Sequence, residues 1–380
     1  MPWHDIHSVT FGQSARDVAR HFIQRWNATK TEKLKDDAAY PYLLPKSYEN
    51  LKVPRIFKNI ADPVNAQVLR SLSGWSGMMH RTEDSIQQAY VSLIANSKHY
   101  VYMENQFFIS MTGGADVHNE ICRVLVERIV RAHQARENFR FYLLIPLMPG
   151  FEGDVGAPGG SSLQVILHWT YESLSRGDFS LFGTLKKRGV EDPAQYVSVN
   201  SLRTWDILTG RLVTELIYIH CKLMIVDDEH VIIGSANIND RSQAGNRDSE
   251  VCMVYTDTSR ERSIMDGKPY EAGKFAKSLR VKCMQEHLGL LPDARRPAGF
   301  AKQVSLDDPV SASFFVDVWQ QTARTNTKIY EEIFHTFPTD LVESFEELAK
   351  WKSTMPLAEY TPKKRKPGFA TSTACSSNSR

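Results

Sequence analysis

The sequence lacks most of what would mark a secreted, membrane-spanning or nucleic-acid-coating chain. Only five cysteines occur in 380 residues, Cys122, Cys221, Cys252, Cys283 and Cys375. The odd number argues against a disulfide framework and none of them pair at metal-ligand spacing, so they read as reduced thiols of a cytosolic protein. No uncharged apolar run approaches the roughly 18 residues needed to cross a bilayer. The longest candidate, Phe141–Phe151, is broken by Pro146 and Pro149. Met1-Pro2-Trp3-His4-Asp5 has neither a basic start nor an apolar run, so no secretory leader is expected. An excess of one charge is missing as well: the formal net charge of +2 is too small to argue for nucleic acid. Neither GK[ST] nor G-x-G-x-x-G opens a helix, which removes the common phosphate-cradling loops. Membrane association, if any, is expected to be peripheral.

What is present is an ordinary soluble composition, 42% hydrophobic and 24% charged, sufficient for one large core or two domains. Within it one stretch is chemically dense. IHCKLMIVDDEHVIIGSANINDR (219–241) carries His220, Lys222, Asp227, Gly234, Ser235 and Asn237. Tyr218–Val226 is rich in Ile, Leu, Met and Val and reads as one buried strand. Alternation along it puts His220 and Lys222 on the same side. A polar turn at Asp227–His230 leads into a second apolar run, Val231–Ile233, which ends at Gly234. Ser235 and Asn237 then fold back towards the His and Lys.

An imidazole, a fixed cation, an amide and a hydroxyl all suit phosphate oxygens. Imidazole titrates near neutral pH and serves as nucleophile in one protonation state and acid in the other. Lys222 offers a compact charge to phosphoryl oxygens. Asp227 reads as a brace of the turn, and Glu250 is the expected carboxylate for orienting the His220 ring. A lone His-x-Lys is a chance surface pair, but the six-position pattern is far more specific. It occurs once: no other histidine has Lys at the next-but-one position.

The cluster resembles the His-Lys-Asp signature of the phospholipase D superfamily. The resemblance runs from Met1 to about Val342 and narrows to the eukaryotic phosphatidylcholine-hydrolysing branch. It is carried by Met1–Asp5, Ala15–Asn27, Tyr102–Phe108, Ile145–Gly153, and Asn237–Ser242 running on to Arg247–Glu250. The resemblance implies two such motifs, one per lobe, meeting in one active site. One His attacks phosphorus to form a phosphohistidine and the other protonates the leaving alcohol. This chain matches the second motif, so His220 is expected to be the acid/base member. Lys222, Ser235 and Asn237 are expected at the phosphate, with Asp227 and Glu250 completing the catalytic set. No metal and no cofactor is expected. The resemblance further implies a phospholipid surface as partner, phosphoinositide as activator through Arg16 and Arg20, and small GTPases or kinases as regulators; the same basic stretch also reads as a solvated helix face. The first lobe's motif would lie upstream of Met1.

The expected architecture is an α/β lobe, a mixed β-sheet covered by helices on both faces. Residues 1–45 read as the end of a first lobe: an amphipathic helix, Ser14–Trp26, with Ser14 as N-cap and Val18, Phe22 and Trp26 in one stripe, then a charged loop, Lys30–Asp37. Residues 46–352 read as the second lobe, with the motif region at 214–241. Its expected elements are a helix Thr82–Asn96, a strand His99–Glu104, a helix Asp116–Arg136 and a strand Phe139–Pro146. Helical segments Tyr270–His287, Asp308–Thr325 and Thr339–Trp351 follow. The loop Gly150–Gly160 reads either as a flexible turn or as one wall of the substrate entrance. Residues 353–380, with Lys363–Lys366 and a Ser/Thr-rich end, read as a disordered tail. That departs from the family's apolar, aromatic C-terminus and, with the single motif, suggests a truncated chain, a splice product or a diverged paralogue. Its basic run is a solvated tail, a membrane-facing cluster or a nuclear-type signal.

Three rival readings stand beside a phosphatidylcholine-hydrolysing half-site. One is a catalytically silent fragment that binds lipid or partners. Another is a homodimer in which two copies of His220 meet. The third is a non-enzymatic phosphoinositide-binding protein using the Arg16–Lys35 region.

Overall fold

The computed structural model describes residues 1–380 except 50, 154, 156–160, 293, 295–303, 361–372 and 377–380. Most of the Gly150–Gly160 loop, and all of Lys363–Lys366, lie outside the described residues. Thirteen strands are described: β1 (Trp3–His4), β2 (Val64–Leu72), β3 (Glu83–Asp84), β4 (Tyr100–Asn105), β5 (Arg140–Leu144), β6 (Val197–Leu208) and β7 (Arg211–Ile219). They continue with β8 (Lys222–Val226), β9 (His230–Gly234), β10 (Glu250–Asp257), β11 (Arg260–Met265), β12 (Lys268–Gly273) and β13 (Thr373–Ser376). Eleven form one sheet in the order β1-β7-β6-β5-β4-β8-β9-β10-β2-β3, with β13 beside β6. The pairs β4–β5, β5–β6 and β1–β7 are parallel and the rest antiparallel, so the sheet is mixed.

Period-two alternation sorts the side chains into two cores. On one face Val101, Met103, Phe141, Leu143, Met224 and Val226 pack under the helices Ser85–Asn96 and Ile121–Ala135. On the other, Tyr100, Tyr102, Tyr142, Leu144, Leu223 and Ile225 pack under Lys274–His287 and the segment from Phe314 to Trp319. Central strands buried on both faces are near-continuous apolar runs, as β4, β5 and β8 are. The expected fold class, a mixed sheet with helices on both faces, is the one observed.

Several expected elements differ. The first helix runs Gln13–Lys33, beyond Trp26 and into the segment read as a loop. Nothing in Ala28–Lys33 breaks a helix. The buried Lys30 ammonium also donates to the carbonyls of Leu34 and Asp37, both at 2.8 Å, just past the C-terminus. Ser14 is not the cap: Gly12 holds that position, and the Ser14 hydroxyl donates to the Ala66 carbonyl at 2.9 Å. The Val18–Phe22–Trp26 stripe is largely open, with Phe22 57% exposed.

Tyr270 belongs to β12, in a β11–β12 hairpin, and the helix starts at Lys274. In the tail, Thr373–Ser376 is an antiparallel strand against Asn200–Arg203, which corrects the expectation of a wholly structureless end. The physical reason is an open edge: β5 stops pairing with β6 at Asn200, and β6 runs on beyond it.

Candidate active site

The expected single strand Tyr218–Val226 is two strands, broken at His220-Cys221. β7 pairs with β6 and β1, whereas β8 pairs with β4 and β9, so the two strands serve different parts of the sheet. His220 sits at the crossing. Its backbone N–H donates to the His4 carbonyl at 2.9 Å, and the Tyr218 N–H donates to the Pro2 carbonyl at 2.8 Å. This parallel pairing carries Asp5 to the imidazole, where Asp5 Oδ2 lies 3.0 Å from His220 Nδ1. The Trp3 ring lies against the imidazole, centroids 4.7 Å apart. A carboxylate at Nδ1 fixes the ring orientation and leaves Nε2 for proton exchange.

Glu250 does not take that part. Its two carboxylate oxygens accept the hydroxyls of Ser235, at 2.5 Å, and Ser242, at 2.7 Å. The correction has a simple cause: Glu250 opens β10 beside the end of β9, on the Ser235 side, while the N-terminal segment occupies the flank of His220. Burial, opposed by those hydroxyls, raises the Glu250 carboxyl above its usual range.

Lys222 is the first residue of β8 and is buried. Its ammonium donates to Gln106 Oε1 at 3.1 Å and to the carbonyl of His220. Burial, partly offset by Asp5 and other acidic neighbours, lowers its pKa. Asp227 turns the chain with a positive φ of 54°. Its carboxylate accepts the backbone N–H groups of Lys98, His99 and Tyr100 at 2.6, 2.8 and 2.9 Å. It therefore staples the β8–β9 turn to the start of β4, away from His220.

Gly234 lets β9 close on β10, since a Cβ there would lie 2.5 Å from Cys252 Cα. Ser235 is stitched to β10: its N–H donates to the Val251 carbonyl at 3.0 Å and its hydroxyl accepts the Val251 N–H at 3.1 Å. Asn237 follows, held through its carbonyl by the Gln243 side chain at 2.9 Å. Its own side-chain oxygen is buried with no hydrogen-bond partner among the described residues. Arg16 and Arg20 lie apart, on the first helix. Arg20 donates to the Lys46 carbonyl at 3.0 Å and stacks over Tyr48 at 4.3 Å.

Asp5, Trp3, Glu104 and Gln106 are the site neighbours that residue-level reasoning missed. One signal was available for Glu104: a carboxylate inside the apolar run Tyr100–Asn105 needs a buried partner.

The profile of the family described as Phospholipase D matches residues 1–204 and 175–305. The chain belongs to the phospholipase D family. It is 46% identical over 363 residues to phospholipase D1 of Cricetulus griseus, covering 95% of this chain and 34% of that protein. Against phospholipase D2 of Bos taurus it is 47% identical over 363 residues, 95% of this chain and 38% of that protein. The chain thus spans about a third of these relatives' length. Among solved structures, the phospholipase D family member Nuc from Salmonella typhimurium aligns with a TM-score of 0.29 at 16% identity, covering 59% of this chain and 93% of that one.

Proposed function

We propose that this chain supplies the second half-site of a phospholipase D that hydrolyses phosphatidylcholine to phosphatidic acid and choline at a membrane surface. The His220–Asp5 contact at 3.0 Å carries the reading, because it is what a proton-exchanging imidazole needs. A histidine from another His-Lys centre attacks phosphorus, and the bond from phosphorus to the choline oxygen breaks. His220 Nε2 gives its proton to that oxygen. Water then attacks the phosphohistidine, returns a proton to His220 and releases phosphatidic acid. Lys222 and Asn237 hold the phosphoryl oxygens, with Ser235 and Glu250 behind them. The absence of any helix long and apolar enough to cross a membrane, among the described residues, fits peripheral docking. Phosphoinositide at Arg16 and Arg20 is the proposed activator.

Choline release from phosphatidylcholine vesicles tests this. The 380-residue chain alone should release essentially none, and co-expression with a lobe carrying another His-x-Lys motif should restore turnover. In that complemented enzyme His220→Ala should lower the rate about 10²–10⁴-fold. Lys222→Arg should also be severe, a planar fork being a poor substitute for a compact ammonium. Robust turnover by the monomeric chain would overturn the half-site reading. Turnover that appears only on self-association would favour two copies of His220 meeting.

A further inference from the structure

Glu104 is fully buried, on β4, and the reaction outlined above makes no use of it. One carboxylate oxygen meets His4 Nε2 at 2.6 Å and accepts the Cys221 thiol at 3.0 Å. The other meets His287 Nε2 at 2.8 Å and accepts the Tyr102 hydroxyl. Two of these partners flank the candidate acid/base group from different parts of the chain. His4 precedes Asp5, and Cys221 follows His220. The next two residues, Asn105 at the end of β4 and Gln106 just past it, reach the rest of the site. The Asn105 side-chain oxygen accepts the Ile238 N–H at 3.1 Å, beside Asn237, and Gln106 accepts the Lys222 ammonium at 3.1 Å.

We infer that Glu104-Asn105-Gln106 is the positioning strip of this site, and that Glu104 is the residue that holds Asp5 in register with His220. The inference takes its catalytic meaning from the phospholipase reading, but the contacts stand without it. β1 is only two residues long and lies at the sheet edge, so two or three backbone hydrogen bonds would hold it weakly. A buried charge-assisted bond supplies the anchor that so short a strand lacks. Burial opposes a charge on His4, yet the bonds and charges of Glu104 and Glu286 raise its pKa to about 10, so the anchor is an ion pair at neutral pH.

His4, Glu104 and Cys221 also bring potential metal ligands together. Here they bond to one another at 2.6 and 3.0 Å, closer than the roughly 3.3–3.8 Å that tetrahedral ligands keep around an ion. The cluster is a hydrogen-bonded hub.

The test is the tautomer of His220, read from the ring nitrogen shifts of ¹⁵N-histidine-labelled 380-residue chain, which requires no turnover. In the wild type the neutral ring should carry its proton on Nδ1, facing Asp5. His4→Ala and Glu104→Gln should each move the proton mainly to Nε2, as should Asp5→Asn. Adding Asp5→Asn to His4→Ala should then change nothing further. His4→Gln retains a donor to Glu104 and should restore much of the wild-type tautomer. Arg280→Lys loosens a buried ion pair with Asp228 elsewhere in the core, so it should lower the Tm and leave the tautomer alone.

Folded His4→Ala or Glu104→Gln protein with the wild-type tautomer would overturn the inference. So would an equal tautomer change in Arg280→Lys, which would reduce Glu104 to a general structural role. Because His4 lies at the sheet edge, its variants decide the matter if Glu104→Gln does not fold. If the ring responds as expected but the complemented His220→Ala enzyme keeps its rate, the functional reading fails and the positioning does not.

Discussion

His4 carries a charge where burial alone would forbid one, and that makes its ionisation a stability term. Its pKa is raised from an ordinary 6.5 to about 10 by Glu104 and Glu286, against burial. A raised basic group stabilises the fold fully below its unfolded pKa, and the contribution disappears as pH climbs through the folded value. Glu104 has the opposite sign: burial pushes its carboxyl up, but His287 and His4 prevail and hold it well below the usual range. Its contribution is present above the unfolded carboxyl pKa and lost on acidification. Between those limits the pair is at full strength. Thermal unfolding followed from pH 6.5 to 10 should therefore show the wild-type Tm falling faster than that of His4→Gln. Parallel pH profiles would mean that His4 is not held as a cation.

At the scale of elements, the β8–β9 hairpin is fixed at its far end by Asp227, whose carboxylate gathers three backbone N–H groups at the start of β4. Asp227→Ala leaves those amides without their acceptor. A buried donor stripped of its partner costs about 1–3 kcal/mol, so urea unfolding should show a loss of at least that order. The rate of the complemented enzyme should fall far less than in His220→Ala, since Asp227 sits away from the imidazole. A stability unchanged by the substitution would remove the bracing role.

The same hairpin shows what was legible in the sequence. The apolar runs of β8 and β9, the turn between them and the bracing carboxylate all follow from local pattern, because each is set by neighbours in the chain. The break at His220 does not follow: it depends on β7 and β8 choosing different partner strands, and apolar residues look the same in either pairing. The partner of the imidazole was misread for a related reason. Glu250 is near in sequence and Asp5 is 215 residues away, and only the parallel pairing of β1 with β7 brings Asp5 in. Long-range register is invisible to periodicity.

For the whole molecule, the proposed phosphoinositide contact rests on the first helix. Arg16 and Arg20 are one turn apart and share a side, which suits a multiply charged headgroup. Arg20, together with Asp17, His21, Gln24, Arg70 and Glu83, lines a groove between this helix and β2. Its acids temper the basic character: Arg70 pairs with Glu83 at 2.6 Å, and Arg20 is partly engaged by the Lys46 carbonyl. On the proposed reading, a phosphoinositide headgroup competes with that carbonyl for Arg20. Vesicle binding should reflect that balance. Arg16→Gln/Arg20→Gln should weaken binding to phosphoinositide-containing vesicles while the circular dichroism spectrum stays the same. Wild-type binding should also fall with added salt, because exposed charges are screened over about 8–10 Å at physiological ionic strength. A salt-sensitive wild type and an equally tight double variant would place the electrostatic contact elsewhere, and Lys363–Lys366 would be the next segment to neutralise. Tight binding indifferent to both salt and substitution would instead point to apolar contact, for which the open Phe22 side chain on the same helix is the first residue to change.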